Sequence, residues 1–132
     1  MRLPAWLGDP LLAWTVHGAA IWLWHAPGLF ERAVASQWLH FAQHASFLGS
    51  ALLFWWTVFS RPQLGAMASL FTTMLHTGAL GALMTFSRAS WYAGYGLEDQ
   101  QLAGLVMWIP AGLAYPVAAL FMASRWLRRS AA

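Results

Sequence analysis

Four long apolar runs, almost free of formal charge, are the feature that most limits how this chain can fold. They extend over about residues 10–27, 37–59, 64–87 and 100–126. Each is long enough, as a helix rising about 1.5 Å per residue, to cross a hydrocarbon core of about 30 Å. Because lipid offers the backbone no hydrogen-bond partners, helices are the economical way to cross it. The sequence therefore predicts an all-α, polytopic membrane helix bundle with four transmembrane helices.

The composition excludes the main alternatives to a membrane protein. Of the 132 residues, 60% are hydrophobic and only 8% are charged, whereas a soluble domain carries about 25% charged residues. The apolar content is too high for a disordered chain. The absence of cysteine excludes a disulfide framework and a thiolate metal site. Since no repeat or low-complexity segment is present, we treat residues 1–132 as a single transmembrane domain.

The arginines predict the orientation of this bundle. With four spans, five arginines fall on the side that holds both termini, and two fall on the opposite side. The first group is Arg2, Arg61, Arg125, Arg128 and Arg129, and the second is Arg32 and Arg88. By the positive-inside rule, both termini lie in the cytoplasm, and the loops over about residues 28–36 and 88–99 face outward. We therefore expect a multi-pass protein of a bacterial cytoplasmic membrane.

Five histidines within or beside the spans are the unusual feature of the sequence. Ionisable groups inside a membrane are costly, and they tend to face a partner, a cavity or a bound ion. His25 ends the first span, and His40 and His44 lie one turn apart at the start of the second, so these three form an outer tier. His17 lies about 12 Å below His25, and His76 lies at a similar depth. These two form a mid-membrane tier.

The outer tier is where metal chemistry would be easiest. If His25, His40 and His44 converge, Asp99 and either Met84 or Met107 can approach them from the third and fourth spans. Imidazole and thioether ligands suit copper, and Cu(I) above all, because it is soft and tolerates low coordination. These residues predict a copper site with His25, His40 and His44 as ligands, and with Asp99 and either Met84 or Met107 as further candidates.

Other interpretations of the same residues stay open. His17 and His76 match in depth on different spans, so they could be deep metal ligands or axial ligands of a haem. The imidazoles could instead be hydrogen-bonding links between helices, worth about 1 kcal/mol or less each, in a small accessory subunit of a respiratory complex. Asp99 could do no more than cap the fourth helix. A catalytic role has little support, since the chain has no cysteine nucleophile and no intramembrane pair of acids.

Three stretches of the sequence carry a resemblance to a known family. They are Trp24-His25-Ala26-Pro27, Leu39-His40-Phe41-Ala42-Gln43-His44, and Asp99-Gln100-Gln101-Leu102-Ala103-Gly104 with the following Met107-Trp108. They are similar to the caa3-type cytochrome c oxidase assembly factors, the CtaG family, and the likeness extends over nearly the whole chain. Members of that family usually have about seven spans of bilayer-crossing length, so this chain resembles their C-terminal four-helix portion.

The resemblance implies a role in the maturation of haem-copper oxidases, as a membrane metallochaperone of the respiratory chain. The expected cargo is copper, as Cu(I), and the expected partners are cytochrome c oxidase subunits and membrane lipid, with no nucleic acid. No enzymatic activity is implied, and a homo-oligomer is compatible with the resemblance. The positions to which it points are His25, His40, His44 and Asp99, with Met107 as a weaker addition.

Overall fold

The computed structural model describes residues 8–60 and 64–130, which form five helices. They are α1 (Pro10–Trp24), α2 (Pro27–Ala35), α3 (Gln37–Ser60), α4 (Leu64–Phe86) and α5 (Leu97–Ser130). No strand occurs in these two ranges, so the all-α fold class is confirmed. Of the arginines used to predict orientation, Arg2 and Arg61 lie outside the described residues, as does the side chain of Arg129.

Two of these helices, α4 and α5, are both long and apolar enough to cross a membrane. With 15 residues, α1 is short for a span, since a hydrocarbon core of about 30 Å needs roughly 20 residues. Helix α3 has 24 residues, but His40, Gln43 and His44 make its first half polar. The structure therefore supports a membrane-associated protein, with two of the four predicted spans meeting the requirements of length and composition.

The prediction of a loop over residues 28–36 is wrong, because most of this segment is helix α2. Pro27 stands at the start of the helix, where its fixed φ is favourable and its missing N–H is not needed. Ala33 is buried, while Arg32 and Val34 are exposed, so the helix has two unlike faces. Ser36 is extended and separates α2 from α3. A search for long apolar runs passes over a helix of nine residues such as this one.

A row of large apolar side chains covers the outer face of α5. These side chains, between 57% and 71% exposed, are Leu102, Val106, Ile109, Leu113, Val117 and Leu120. Their spacing of three and four residues places them along one side of the helix. A contiguous apolar surface of this kind would be a liability in water and is suited to a lipid or protein environment. This exposed row agrees with the assignment of α5 as a candidate span.

Two apolar clusters join the helices. One contains Phe54, Val58, Ala66, Leu70, Tyr115 and Met122, and the other contains Ile21, Leu80, Met84 and Tyr92. Helices α4 and α5 form the most extensive pair in the fold. Their backbones meet at Gly81 and Gly104, since a Cβ atom on Gly104 would lie 2.7 Å from the carbonyl oxygen of Gly81. This close contact fixes α5 against α4 at the level of the second cluster.

Candidate metal-binding cavity

A cavity of about 440 Å³ lies where α1 and α4 end and α5 begins. It is lined by His25, Phe30, Met84, Tyr92, Tyr95, Asp99, Gln100, Ala103 and Met107. Three of the predicted metal ligands, His25, Asp99 and Met107, thus share one cavity. Met84, which the depth argument brought to the same level as Met107, lines it as well.

The imidazole of His25 is oriented by the end of its own helix. His25 is the C-cap of α1, and its Nδ1 lies 2.6 Å from the carbonyl oxygen of Ile21. A carbonyl oxygen can only accept, so Nδ1 donates and the neutral ring has its lone pair on Nε2. A backbone partner of this kind on one ring nitrogen is typical of histidines that bind a metal through the other.

Two methionines line the cavity, each from a different helix. Met84 is buried near the end of α4, and Met107 packs against the same apolar cluster from α5. The two side chains therefore come from the pair of helices whose backbones are in closest contact. Thioether is a soft, uncharged ligand, so together with one imidazole it makes a donor set suited to Cu(I).

Asp99 has a structural role beside its place in the cavity. Its Oδ2 accepts a hydrogen bond of 3.2 Å from the backbone N–H of Gly96, just before α5 begins. An acidic side chain in the first turn that reaches back to this N–H stabilises the start of a helix. The capping interpretation is therefore confirmed, and the carboxylate also lines the cavity.

The connection between α4 and α5, residues 87–96, covers one side of the cavity and is tied to α1 and α2. The hydroxyl of Tyr92 donates to the carbonyl oxygen of His25 at 2.8 Å. The backbone N–H of Ala93 donates to Oε1 of Glu31 at 2.8 Å. The ring of Tyr92 also packs on Phe30, with ring centroids 4.2 Å apart. Helix α2, which the apolar runs of the sequence did not predict, thus helps to hold the wall of the cavity in place.

Gln100 joins this connection to both of its neighbouring helices. Its side chain is almost fully buried. Its Oε1 accepts from the backbone N–H of Trp91 at 2.6 Å, and its Nε2 donates to the carbonyl oxygens of Met84 and Ala89 at 3.3 and 3.5 Å. One amide therefore satisfies backbone groups at the end of α4 and in the connection. It also fixes the backbone at Met84, which lines the cavity.

The other two predicted ligands, His40 and His44, do not line this cavity. Both are exposed on α3, where their Nε2 atoms lie 3.1 Å apart. Helix α3 buries Gln43 and Ser50 instead, and this rotation turns the histidine pair away from His25. Within residues 8–60 and 64–130, no group of three or more His, Cys, Asp or Glu side chains is placed to hold a metal. The predicted convergence of three histidines is therefore not seen.

The two deep histidines have partners within the bundle. Nδ1 of His17 lies 3.2 Å from Oγ of Ser50, and its ring stacks on Phe54 with centroids 5.2 Å apart. Nδ1 of His76 accepts a hydrogen bond of 3.3 Å from Nε1 of Trp22. These contacts agree with the interpretation of the imidazoles as links between helices. Haem ligation by the same pair stays a prediction.

Sequence reasoning missed three residues that build this site. Gln100 stands inside the third stretch that carries the family resemblance, but its role needs the position of the α4–α5 connection. Tyr92 lies in an aromatic segment of the sequence, and nothing in that segment indicates a bond to the end of α1. Glu31 is one of four acidic residues in the chain, and the sequence gives no indication of its bond to Ala93. All three make bonds between residues that are distant in sequence, which a linear pattern does not show.

Tyr92 gives the fold a testable dependence on pH. Burial raises the pKa of Tyr92 above its ordinary value of 10.0. Because the fold favours the neutral phenol, this contribution to stability is complete below the ordinary pKa and is lost as the pH rises through the raised one. The thermal unfolding midpoint in detergent should therefore fall above about pH 10, and fall less in Tyr92→Phe than in the unmodified chain.

The matched control for this pH series is Tyr95→Phe, because Tyr95 lies in the same connection and is exposed. Circular dichroism at 222 nm between about pH 8 and about pH 11 follows the unfolding of all three proteins across the ordinary tyrosine pKa. Tyr95→Phe should keep the alkaline loss of the unmodified chain. An alkaline loss of the same size in Tyr92→Phe would contradict the assignment to Tyr92.

Comparison with known proteins assigns the chain to a family. The family model for the cytochrome c oxidase caa3 assembly factor matches residues 1–129, nearly the whole length. Comparison with the curated proteins and with the solved structures gives no significant match. The matched region includes every residue that lines the cavity. The chain therefore belongs to the cytochrome c oxidase caa3 assembly factor family.

Proposed function

We propose that this chain takes part in the assembly of cytochrome c oxidase by holding Cu(I) as cargo in the cavity between α1, α4 and α5. The observation that supports the proposal most strongly is the donor set in that cavity. It combines the imidazole of His25, the thioethers of Met84 and Met107, and the carboxylate of Asp99.

The chemistry of these donors suits a carrier of copper. Thioether and imidazole prefer Cu(I) to harder ions, and they are neutral, so the ion can leave without leaving a buried anion behind. The chain has no cysteine that could hold copper as a thiolate. The aromatic side chains of Phe30 and Tyr92 cover part of the cavity. Such a covering limits access of water and oxygen to the metal.

The membrane arrangement belongs to the same proposal. The chain crosses a bacterial cytoplasmic membrane four times with both termini in the cytoplasm, as the distribution of arginines favours. The cavity then lies near the outer end of the bundle, beside the α4–α5 connection. A copper ion held there could pass to an oxidase subunit that packs against the same helices. The role is that of a carrier, with no reaction catalysed on a substrate.

The exposed pair of His40 and His44 is the alternative position for copper. Two imidazoles whose Nε2 atoms are 3.1 Å apart can bind one ion after a small adjustment. The pair lies on an exposed surface of α3, with Phe41 67% exposed between them. In that arrangement, the pair would accept or release copper at a surface available to a partner. Site-directed variants distinguish this position from the cavity.

Competition titration with a Cu(I)-specific chromophoric chelator, without oxygen and in detergent, tests the proposal. The unmodified chain should bind a single Cu(I) ion. The double variant Met84→Leu with Met107→Leu should bind it at least about 100-fold more weakly, since even groups behind the ligands change metal affinity by about 10- to 100-fold. Leucine is close to methionine in volume, so the fold should be retained.

Two further variants complete this experiment. Met74→Leu is the matched control, because Met74 packs against the other apolar cluster, away from the cavity. Its Cu(I) affinity should equal that of the unmodified chain. The double variant His40→Ala with His44→Ala should also keep full affinity. Loss of binding in the histidine pair but not in the methionine pair would place copper on α3, and no stoichiometric binding in the unmodified chain would overturn the proposal.

A further inference from the structure

A groove of about 610 Å³ lies between α1 and α4 and shares no residue with the metal-binding cavity. Its walls include Trp14, Gly18 and Trp22 from α1, and His76 and Ala79 from α4. The imidazole of His76 lies against α1 at Gly18, where a Cβ atom would make an ordinary contact of 3.6 Å with Nε2. Indole rings, an imidazole and small side chains thus form the groove.

Two N–H groups of this groove are buried and have no hydrogen-bond partner among the described residues. Nδ1 of His76 accepts from Nε1 of Trp22, so the neutral imidazole carries its proton on Nε2. That Nε2 is unpartnered, and so is Nε1 of Trp14. The rings of Trp14 and His76 meet edge to face with centroids 5.9 Å apart. Two neighbouring donors are therefore present without an acceptor.

The hydroxyl groups of the groove do not supply that acceptor. Thr15 donates to the carbonyl oxygen of Leu11 at 2.8 Å, and Thr72 donates to that of Ala68 at 2.9 Å. Each hydroxyl oxygen could still accept, but neither is a hydrogen-bond partner of Nε1 of Trp14 or Nε2 of His76. A buried N–H without a partner carries a desolvation penalty, which an acceptor oxygen removes. An apolar molecule in the groove that carries a carbonyl oxygen can supply such an acceptor once one of the two rings turns its N–H toward the groove.

The position of His76 along α4 limits which kinds of molecule can bring a carbonyl oxygen to this groove. His76 stands near the middle of Leu64–Phe86, about 15 Å or more from either end of the helix at about 1.5 Å per residue. Phospholipid ester carbonyls lie at the edges of the hydrocarbon core, about 15 Å from its centre. A lipid ester therefore does not reach this level. The molecule must enter the hydrocarbon interior as a whole and bring its carbonyl with it.

We infer that the groove between α1 and α4 binds a quinone. A quinone is an uncharged flat ring with two carbonyl oxygens and an apolar tail, and it dissolves in the bilayer interior. Its ring can pack on the indoles of Trp14 and Trp22, as aromatic rings pack on one another. A carbonyl oxygen then accepts from Nε1 of Trp14 or Nε2 of His76 when either ring turns toward it. This inference does not depend on copper binding in the other cavity.

Infrared difference spectroscopy of decylubiquinone labelled with ¹³C at both carbonyls tests this inference. The full chain is placed in nanodiscs of ether-linked phosphatidylcholine, which has no ester carbonyl. A carbonyl band at lower wavenumber should appear and saturate as quinone is added, because a hydrogen bond weakens the C=O bond. Trp14→Phe and His76→Phe each remove one donor and keep a ring. Each should raise the half-saturating concentration about threefold to tenfold.

Three controls make the result decisive. Trp38→Phe changes an exposed indole on α3, 82% exposed, and should leave the titration unchanged. Ala79→Leu fills the groove without removing a donor and should abolish the shifted band. Nanodiscs of ester-linked phosphatidylcholine should give the same titration as the ether-linked ones. An unshifted carbonyl band, titrations of Trp14→Phe and His76→Phe that match the unmodified chain, or displacement of quinone by the ester lipid would overturn the inference.

Discussion

Replacing Gly104 by alanine is expected to destabilise the protein more than any other single methyl group added to α5. A Cβ atom at this position would lie 2.5 Å from Oγ1 of Thr85, 2.7 Å from the carbonyl oxygen of Gly81 and 2.9 Å from the backbone N of Thr85. Two of these atoms belong to the backbone of α4, so they cannot turn aside. The helices must separate, and overpacking of this kind costs about 1–3 kcal/mol or more.

The control for this substitution is Gly112→Ala in the same helix. A Cβ atom on Gly112 meets nothing within 4 Å, and alanine is favoured over glycine within a helix by about 1 kcal/mol. The two variants should therefore differ in sign, with a lower thermal unfolding midpoint for Gly104→Ala and an equal or higher one for Gly112→Ala. An unfolding midpoint for Gly104→Ala at or above that of the unmodified chain would show that α4 and α5 are not in contact at this level.

The same contact shows what the sequence alone can predict about the fold. Gly104 could be marked as a position of close helix approach, because glycine in an apolar helix is commonly an interface residue. The sequence does not name its partner on α4, because the partner depends on how the two helices are rotated about their axes. The helices of 15 or more residues follow from the apolar runs to within a few residues at each end. Helix α2 does not, because it is held by tertiary contacts, such as the packing of Phe30 on Tyr92 and the bond from Ala93 to Glu31, rather than by a long apolar run.

The histidines illustrate the same limit at the site. The sequence predicts that Asp99 and either Met84 or Met107 can approach His25 at the outer end of the spans, and all four residues line one cavity. Depth alone also placed His40 and His44 at this level, but α3 buries a different face. A sequence thus gives the position of a residue along a helix axis more securely than its direction around that axis, which neighbouring helices decide.

Replacing Gln100 by leucine is expected to loosen the wall of the metal-binding cavity. The substitution removes the acceptor for the N–H of Trp91 and the donor for the carbonyl oxygens of Met84 and Ala89. A buried backbone group left unpaired costs about 1–3 kcal/mol, and more than one is affected here. The thermal unfolding midpoint should fall, and hydrogen exchange at the N–H of Trp91 should become faster. Because the backbone of Met84 is released as well, Cu(I) affinity should fall by about 10- to 100-fold.

Gln101→Leu separates this effect from a general cost of losing an amide. Gln101 is the adjacent residue and is only partly buried, and its Nε2 donates a single bond of 3.1 Å to the carbonyl oxygen of Ser87. Its replacement should lower the unfolding midpoint less and leave Cu(I) affinity near that of the unmodified chain. Equal losses of stability and of copper affinity in the two variants would mean that Gln100 has no particular role in the cavity. A loss of copper affinity confined to Gln100→Leu would show that Cu(I) binding depends on the position of the α4–α5 connection.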